Sequence, residues 1–133
     1  GVAEIKREGT DVTIVSFGKI IKEAYKAADE LAKEGISCEI IDLRTVRPLD
    51  KEAVLKSVKK TNRLVVLEEA WPFGNVSTEL TYIVQSEAFD YLDAPVVKIN
   101  TADTPAPYSP VLLEEWLPNS NEVVKAVKKV MYK

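Results

Sequence analysis

The stretch Arg63-Leu64-Val65-Val66-Leu67-Glu68-Glu69-Ala70-Trp71-Pro72-Phe73-Gly74-Asn75 constrains the fold of this chain more than any other. Four consecutive apolar residues, Leu64 to Leu67, leave no polar face, so the run reads as a strand covered on both sides, as in a parallel sheet. Two carboxylates, a Trp-Pro pair and a Gly-Asn turn end it. Val76, Leu80, Ile83 and Val84 then recur at helical spacing. The polar residues therefore sit at the carboxyl end of a strand, where open α/β sheets meet ligands or partners.

The rest of the chain repeats this unit. Residues 2–7 alternate weakly, Glu8-Gly9-Thr10-Asp11 reads as a turn, and residues 12–17 form a strong strand pattern. Read locally, the two strands predict a hairpin. After Gly18, the residues Ile20, Ile21, Ala24, Ala27, Ala28 and Leu31 make an amphipathic helical stripe, with Gly35 as its C-terminal cap. Residues 37–43 predict the next strand, and Arg44-Thr45-Val46-Arg47-Pro48-Leu49 a loop. Asp50 reads as an N-cap with a Leu49–Val54 staple, and Val54, Leu55 and Val58 face inward. Lys59 and Lys60 occupy the last turn, where the helix dipole favours cations. The helix after Gly74 runs to about Ser86, and residues 96–100 predict a last strand. Residues 101–117, with Pro105, Pro107 and Pro110 and with Pro118 following, read as loop rather than regular structure. Asn119 or Ser120 caps a final helix carrying Val123, Val127 and Val130 on one face. Strand–helix–strand units in succession imply a mostly parallel sheet, five-stranded if residues 2–7 count, with helices on both faces.

The length, 133 residues, is that of one domain, 1–133, opening on Gly1 as a processed chain or a piece of a longer one would. With 18 basic and 21 acidic residues the net charge is −3, which argues against a dedicated nucleic-acid binder. No apolar run reaches the length of a membrane span. The absence of histidine removes Ser-His-Asp and Cys-His chemistry and most zinc sites. The single cysteine, Cys38, lies in an apolar strand pattern and reads as a buried hydrophobe in a reducing compartment.

Candidate chemistry is sparse. There is no phosphate loop of either common glycine-rich type. Ser16-Phe17-Gly18-Lys19 is a plain turn in preference to an anion site. Glu68 and Glu69 point to opposite faces of a strand, so they make a poor acid/base pair, and one of them complements the positive end of the following helix. Asp42, Arg44 and Arg47 read as an ion-pair network at the sheet's rim in preference to an anion clamp. Trp71, Phe73, Tyr82, Tyr91, Tyr108 and Trp116 gather around loops of the second half. Some are expected in the core, while aromatics in proline-braced loops also serve as interface anchors. Composition and spacing support an α/β domain without a catalytic set.

Several segments carry a resemblance over essentially the whole chain: Arg7-Glu8-Gly9-Thr10-Asp11-Val12-Thr13-Ile14-Val15, Ile41-Asp42-Leu43-Arg44-Thr45-Val46-Arg47-Pro48-Leu49-Asp50, Glu68-Glu69-Ala70-Trp71-Pro72-Phe73-Gly74, Tyr91-Leu92-Asp93-Ala94-Pro95-Val96, and Ala102-Asp103-Thr104-Pro105-Ala106-Pro107-Tyr108. Together they resemble the C-terminal domain of pyruvate dehydrogenase beta subunits and, more broadly, the transketolase C-terminal domain family. Ala70, Asn75, Ser77 and Thr78 depart from the family's usual residues. The resemblance implies a three-layer α/β/α fold whose first strand lies antiparallel at one edge, beside the third strand rather than in a hairpin. It implies a parent enzyme that decarboxylates pyruvate with thiamine diphosphate and magnesium and acetylates a lipoyl group. The family's Gly-Asp-Gly diphosphate motif and its activating glutamate have no counterpart here, so this domain is expected to be non-catalytic, with no catalytic, cofactor or metal residues of its own. Its implied partners are an alpha subunit, a second beta subunit and the docking domain of the lipoyl acyltransferase. Trp71, Tyr108 and Trp116 are the expected subunit contacts. Asp93, Met131, Tyr132 and Lys133 are expected to face the acyltransferase. The implied compartment is a bacterial cytoplasm or a mitochondrial matrix. The competing readings are a free-standing α/β binding module, or the same domain of another 2-oxo-acid dehydrogenase, a transketolase or a 1-deoxyxylulose-5-phosphate synthase.

Overall fold

The structure, a computed structural model, describes residues 1–133. Along the chain run β1 (Glu4–Arg7), β2 (Val12–Ser16), α1 (Ile21–Lys33), β3 (Cys38–Asp42), α2 (Lys51–Thr61), β4 (Leu64–Leu67), α3 (Val76–Ala88), a short 3-10 turn (Phe89–Tyr91), β5 (Val97–Ile99), α4 (Pro110–Trp116) and α5 (Ser120–Val130). One five-stranded sheet has the order β1-β3-β2-β4-β5. Only β1 is antiparallel, pairing with β3. β2 pairs in parallel with β3 and β4, and β4 with β5. As the apolar runs require, β2 and β4 are buried along their whole length.

Alternation along each strand feeds two cores. Val12, Ile14, Cys38, Ile40, Val65 and Leu67 pack against α1 and α5. Val15, Ile41, Val66 and Leu64 pack against α2 and α3. The alanines Ala24, Ala27 and Ala28 have no exposed surface, which lets α1 lie close on the sheet. Cys38 is buried in the first core, and burial pushes its thiol up to about 11, so it is a packing residue rather than a nucleophile.

The local hairpin expected for residues 2–17 does not form. Gly9 crosses against the Cys38–Glu39 peptide, where any Cβ would overlap backbone atoms, and this carries β1 past β2 to β3. Asp11 secures the crossing: its N–H donates to the Ser37 carbonyl at 2.8 Å and its Oδ2 accepts the Ser37 N–H at 2.7 Å. The implied edge position of the first strand is the observed one.

The helix signals act as read. Asp50 accepts the Ala53 N–H at 3.2 Å, and Asn119 accepts the Glu122 N–H at 3.0 Å. Gly35 sits at φ +81 just after α1. One expectation fails, because residues 110–116 are helical rather than loop. Pro110 begins that helix, where its missing N–H and fixed φ carry no penalty, so the proline that argued against a helix is its first residue.

Candidate functional site

At the carboxyl end of β4, Glu68 is almost wholly buried. Its Oε1 accepts the Ser77 N–H (3.2 Å) at the start of α3 and the Asn100 side-chain amide (2.9 Å) after β5. Glu68 is thus the carboxylate that complements the helix's positive end. Asn75 caps the same turn, its Oδ1 accepting the Thr78 N–H at 3.0 Å. The two strand ends and the helix start are tied together, and the loops beyond them stand on a fixed base.

On that base lies an aromatic ledge. The indole N–H groups of Trp71 (2.9 Å) and Trp116 (2.8 Å) both donate to one acceptor, the Thr104 carbonyl. The loop after β4, the proline-rich segment and α4 are locked by this shared oxygen. The Ala102 N–H adds a bond to the Trp116 carbonyl at 3.1 Å. Around the clamp, Tyr108 is 104% and Phe73 90% exposed. Trp71 is exposed and Trp116 half-buried. Of the six aromatics singled out in the sequence none lies in the core, contrary to expectation, because every fully buried apolar side chain is aliphatic or Cys38. Tyr91 instead stands under Lys59, whose Nζ lies 5.4 Å from its ring centre.

Asp93 lies at the other end of the sheet, roughly 15 Å away along β4. Arg63, just before β4, organises this end. Its Nε donates to the Val130 carbonyl (3.1 Å) at the end of α5, and its Nη1 donates to the Asp11 carbonyl (3.3 Å). Its Nη2 lies 3.7 Å from the Asp93 carboxylate. The Asp93 N–H donates to the Asn62 carbonyl (2.9 Å), and the Tyr132 hydroxyl donates to the Asp93 carbonyl (3.2 Å). Both peptide groups of Asp93 are thereby pinned while its side chain stays 56% exposed. Met131 is half-buried against the α1/α5 core, and Tyr132 and Lys133 are exposed. The expected site residues thus fall into two groups, Trp71, Tyr108 and Trp116 at the carboxyl end and Asp93, Met131, Tyr132 and Lys133 at the amino end.

The helix starts that could cradle an anion are occupied by the chain's own oxygens: α1 by the Gly18, Lys19 and Ile20 carbonyls, α2 by Asp50, α3 by Glu68 and Asn75, and α5 by Glu23 and Asn119. The turn at Ser16–Lys19 is therefore a plain turn. At the rim, Asp42 Oδ1 accepts the Arg44 N–H (2.9 Å), and Arg44 pairs with Glu4 (3.6 Å) while Arg47 pairs with nothing. The expected Asp42–Arg44–Arg47 network is absent, and Arg44, at φ 62°, meets Glu4 of β1 instead.

Residues 1–123 match the family described as Transketolase, C-terminal domain. The chain belongs to that family. Among curated relatives of this transketolase C-terminal domain, the pyruvate dehydrogenase E1 component subunit beta of Rickettsia conorii is 51% identical over 99% of the chain and 40% of the relative. The corresponding subunit of Rhizobium meliloti is 53% identical over 100% of the chain and 29% of the relative. The chain thus spans well under half the length of these relatives. A solved structure, "Split gene transketolase, inactive beta4 tetramer", superposes with a TM-score of 0.87 at 30% identity, over 98% of this chain and 42% of that one. The three-layer α/β/α fold implied by the resemblance is the fold observed.

For this transketolase C-terminal domain, two residues that organise the site escaped the sequence reading. Thr104 acts through its carbonyl, which no residue type announces. Arg63 carried a usable signal, as a cation directly before a fully buried strand must find acceptors at the sheet's end.

Proposed function

We propose that the chain is the C-terminal domain of a pyruvate dehydrogenase beta subunit, non-catalytic in itself, which assembles subunits and docks the lipoyl acyltransferase. In this reading the parent enzyme decarboxylates pyruvate with thiamine diphosphate and magnesium and passes the acetyl group to a lipoyl arm. The residues of this chain do not fit that cofactor. The starts of α1, α2, α3 and α5 hold the chain's own oxygens, and no three acidic or cysteine side chains are grouped to hold a metal ion. The compartment of this reading is a bacterial cytoplasm or a mitochondrial matrix, and no helix of the chain is long and apolar enough to cross a membrane.

The observation that carries the proposal is the aromatic ledge. Trp71, exposed, and Trp116, half-buried, are held by a shared carbonyl, and Tyr108 and Phe73 project almost wholly into solvent. Aromatics fixed in this way lose little entropy on association and anchor interfaces strongly. The ledge is assigned to the alpha subunit and the second beta subunit. Asp93 with Met131, Tyr132 and Lys133 is assigned to the acyltransferase docking domain, where an exposed carboxylate steers a basic partner.

Two measurements test the reading in the complete enzyme. Trp71→Ala and Tyr108→Ala are expected to raise the subunit dissociation constant about 30-fold or more, the level of an interface hot spot, as read by analytical ultracentrifugation. Assembly indistinguishable from the parent would return these aromatics to loop packing. Asp93→Ala is expected to slow association of the docking domain, with a deficit that shrinks as salt rises. An unchanged rate at low salt would remove Asp93 from the docking surface.

A further inference from the structure

The two edges of the sheet differ in how they meet solvent. β1, at one edge, carries its charges in ion pairs, Lys6 with Glu4 (3.0 Å), Arg44 with Glu4 (3.6 Å) and Arg7 with Asp29 (2.6 Å). Charged side chains of this kind discourage a further strand. β5, at the other edge, pairs with β4 alone. Its register sets Val97 and Ile99 opposite Val65 and Leu67, and the Ile99 carbonyl accepts the Glu68 N–H at 3.0 Å. In a parallel ladder alternate residues turn both main-chain groups to the same neighbour, so Val97 and Ile99 face β4. Thr101 continues the series, its N–H donating to the Ala70 carbonyl at 3.0 Å. The N–H and C=O groups of Lys98 and Asn100 therefore point away from the sheet. The Lys98 side chain does not cover them. Its Nζ is drawn toward α3, where it donates to the Pro72 carbonyl (2.7 Å) and the Thr78 hydroxyl (2.8 Å).

Alongside this open edge runs a trough of ≈ 460 Å³, lined by the strand itself and by α5, which presents Lys125 and Lys129 one turn apart beside Glu122. Both lysines are exposed, and neither lies within ion-pair distance of a carboxylate, the chain's ion pairs lying elsewhere. A row of unpaired main-chain groups matches an extended segment, and uncompensated lysines match carboxylates carried on it. We infer that the β5 edge takes up an extended acidic segment of a partner polypeptide as a sixth strand. The main-chain groups of Lys98 and Asn100 hold its backbone, while its alternate side chains reach Lys125 and Lys129 on α5. A second copy of the same edge is a poor occupant, because it would bring lysine against lysine. Neither the aromatic ledge nor Asp93 takes part, so this contact is independent of the assignments proposed above.

The test titrates the full-length protein, in its native assembly, with short fluorescent peptides and reads fluorescence polarisation. One peptide alternates valine and glutamate, a second alternates valine and lysine, and a third has the first sequence with its backbone amides N-methylated. The acidic peptide is expected to bind saturably and to slow hydrogen exchange at the Lys98 and Asn100 amides. The basic and N-methylated peptides are expected to bind about tenfold more weakly or worse. Lys125→Gln combined with Lys129→Gln changes only exposed side chains of α5. The pair is expected to weaken the acidic peptide about tenfold and to flatten its salt dependence. If the acidic peptide does not bind saturably, the edge is closed in the native assembly and the inference is overturned. If the N-methylated form binds equally well, only a general attraction to lysine remains, and the inference is likewise overturned. Affinity unchanged by the paired lysine substitutions overturns it as well.

Discussion

Val66→Asp is expected to leave the domain unfolded at room temperature. Val66 has no exposed surface and sits mid-sheet, with Val15 opposite it on β2 and Lys98 opposite it on β5. Its side chain enters the apolar core shared with Val15, Leu80 and Val84, and the neighbouring Lys98 ammonium is already committed to the Pro72 carbonyl and the Thr78 hydroxyl. Burying such a charge unpaired costs more than about 4 kcal/mol, comparable with the whole stability of a domain this size. Val66→Ala makes only a cavity and is expected to cost about 2–3 kcal/mol, so the pair separates charge from packing. Urea unfolding followed by circular dichroism reads both. An Asp variant with the parent's midpoint would mean that β4 is not the buried neighbour of β2.

Period and burial were legible in the sequence wherever one physical requirement dominated. The runs at β2 and β4 had to be covered on both faces, and Asp50 and Asn119 were readable as caps, whereas Asn75, read as part of a turn, caps α3. The position of β1 was not legible from residues 2–17 alone. A short turn between two strand patterns favours the hairpin locally, and the reason it loses is a long-range contact, Gly9 against the Cys38–Glu39 peptide. Pro110 misled for a similar cause, since a proline breaks a helix interior and begins a helix equally well.

The candidate site was legible in kind and not in arrangement. Trp71, Tyr108 and Trp116 announced themselves as large aromatics in proline-braced loops, and Trp71 and Trp116 share one hydrogen-bond acceptor. That Trp71 and Trp116 meet at the Thr104 carbonyl depends on loop geometry that side-chain identity does not encode. The separation of Asp93 from the ledge follows from topology. The turn after α3 returns the chain to the amino end of the sheet, and β5 then carries it back to the carboxyl end.

Glu39 is the strongest case of a residue that sequence reading passed over, and it supports the second large effect. A charge in the middle of Cys38-Glu39-Ile40-Ile41 breaks the apolar pattern, yet Glu39 is buried beside Ile41 on the α2 face. Burial alone would push its carboxyl up. Hydrogen bonds from Lys60, from the Ser57 hydroxyl (2.6 Å) and from the Gly9 N–H (3.2 Å) outweigh that and hold it below its ordinary value of 4.5. Behind Ser57 stands a chain of hydroxyls. Thr13 Oγ1 lies 2.6 Å from Ser57 Oγ and 2.7 Å from Thr61 Oγ1, and Thr61 Oγ1 reaches the Arg63 carbonyl at 3.1 Å. Three hydroxyl protons must serve four contacts, counting Ser57 to Glu39. With the carboxylate ionised, the arrangement that feeds it runs Thr61 to Thr13 to Ser57 to Glu39 and leaves the longest contact, to Arg63, unfilled. Each hydroxyl then strengthens the next, and all point toward the charge. Glu39→Gln sets an amide N–H₂ against either the Ser57 hydroxyl proton or the Lys60 and Gly9 donors, so at pH about 7 it is expected to cost about 2–3 kcal/mol. The pH dependence has a definite sign. A carboxyl depressed in the folded state adds stability that is fully present above 4.5 and is lost as pH falls through the lower folded value. The gap between the parent and Glu39→Gln is therefore expected to narrow on acidification below that point and to stay level above it. Urea titrations across that range check it. A Gln variant as stable as the parent near neutrality, or a gap that widens in acid, would show that Glu39 does not hold this face of the sheet together as an anion.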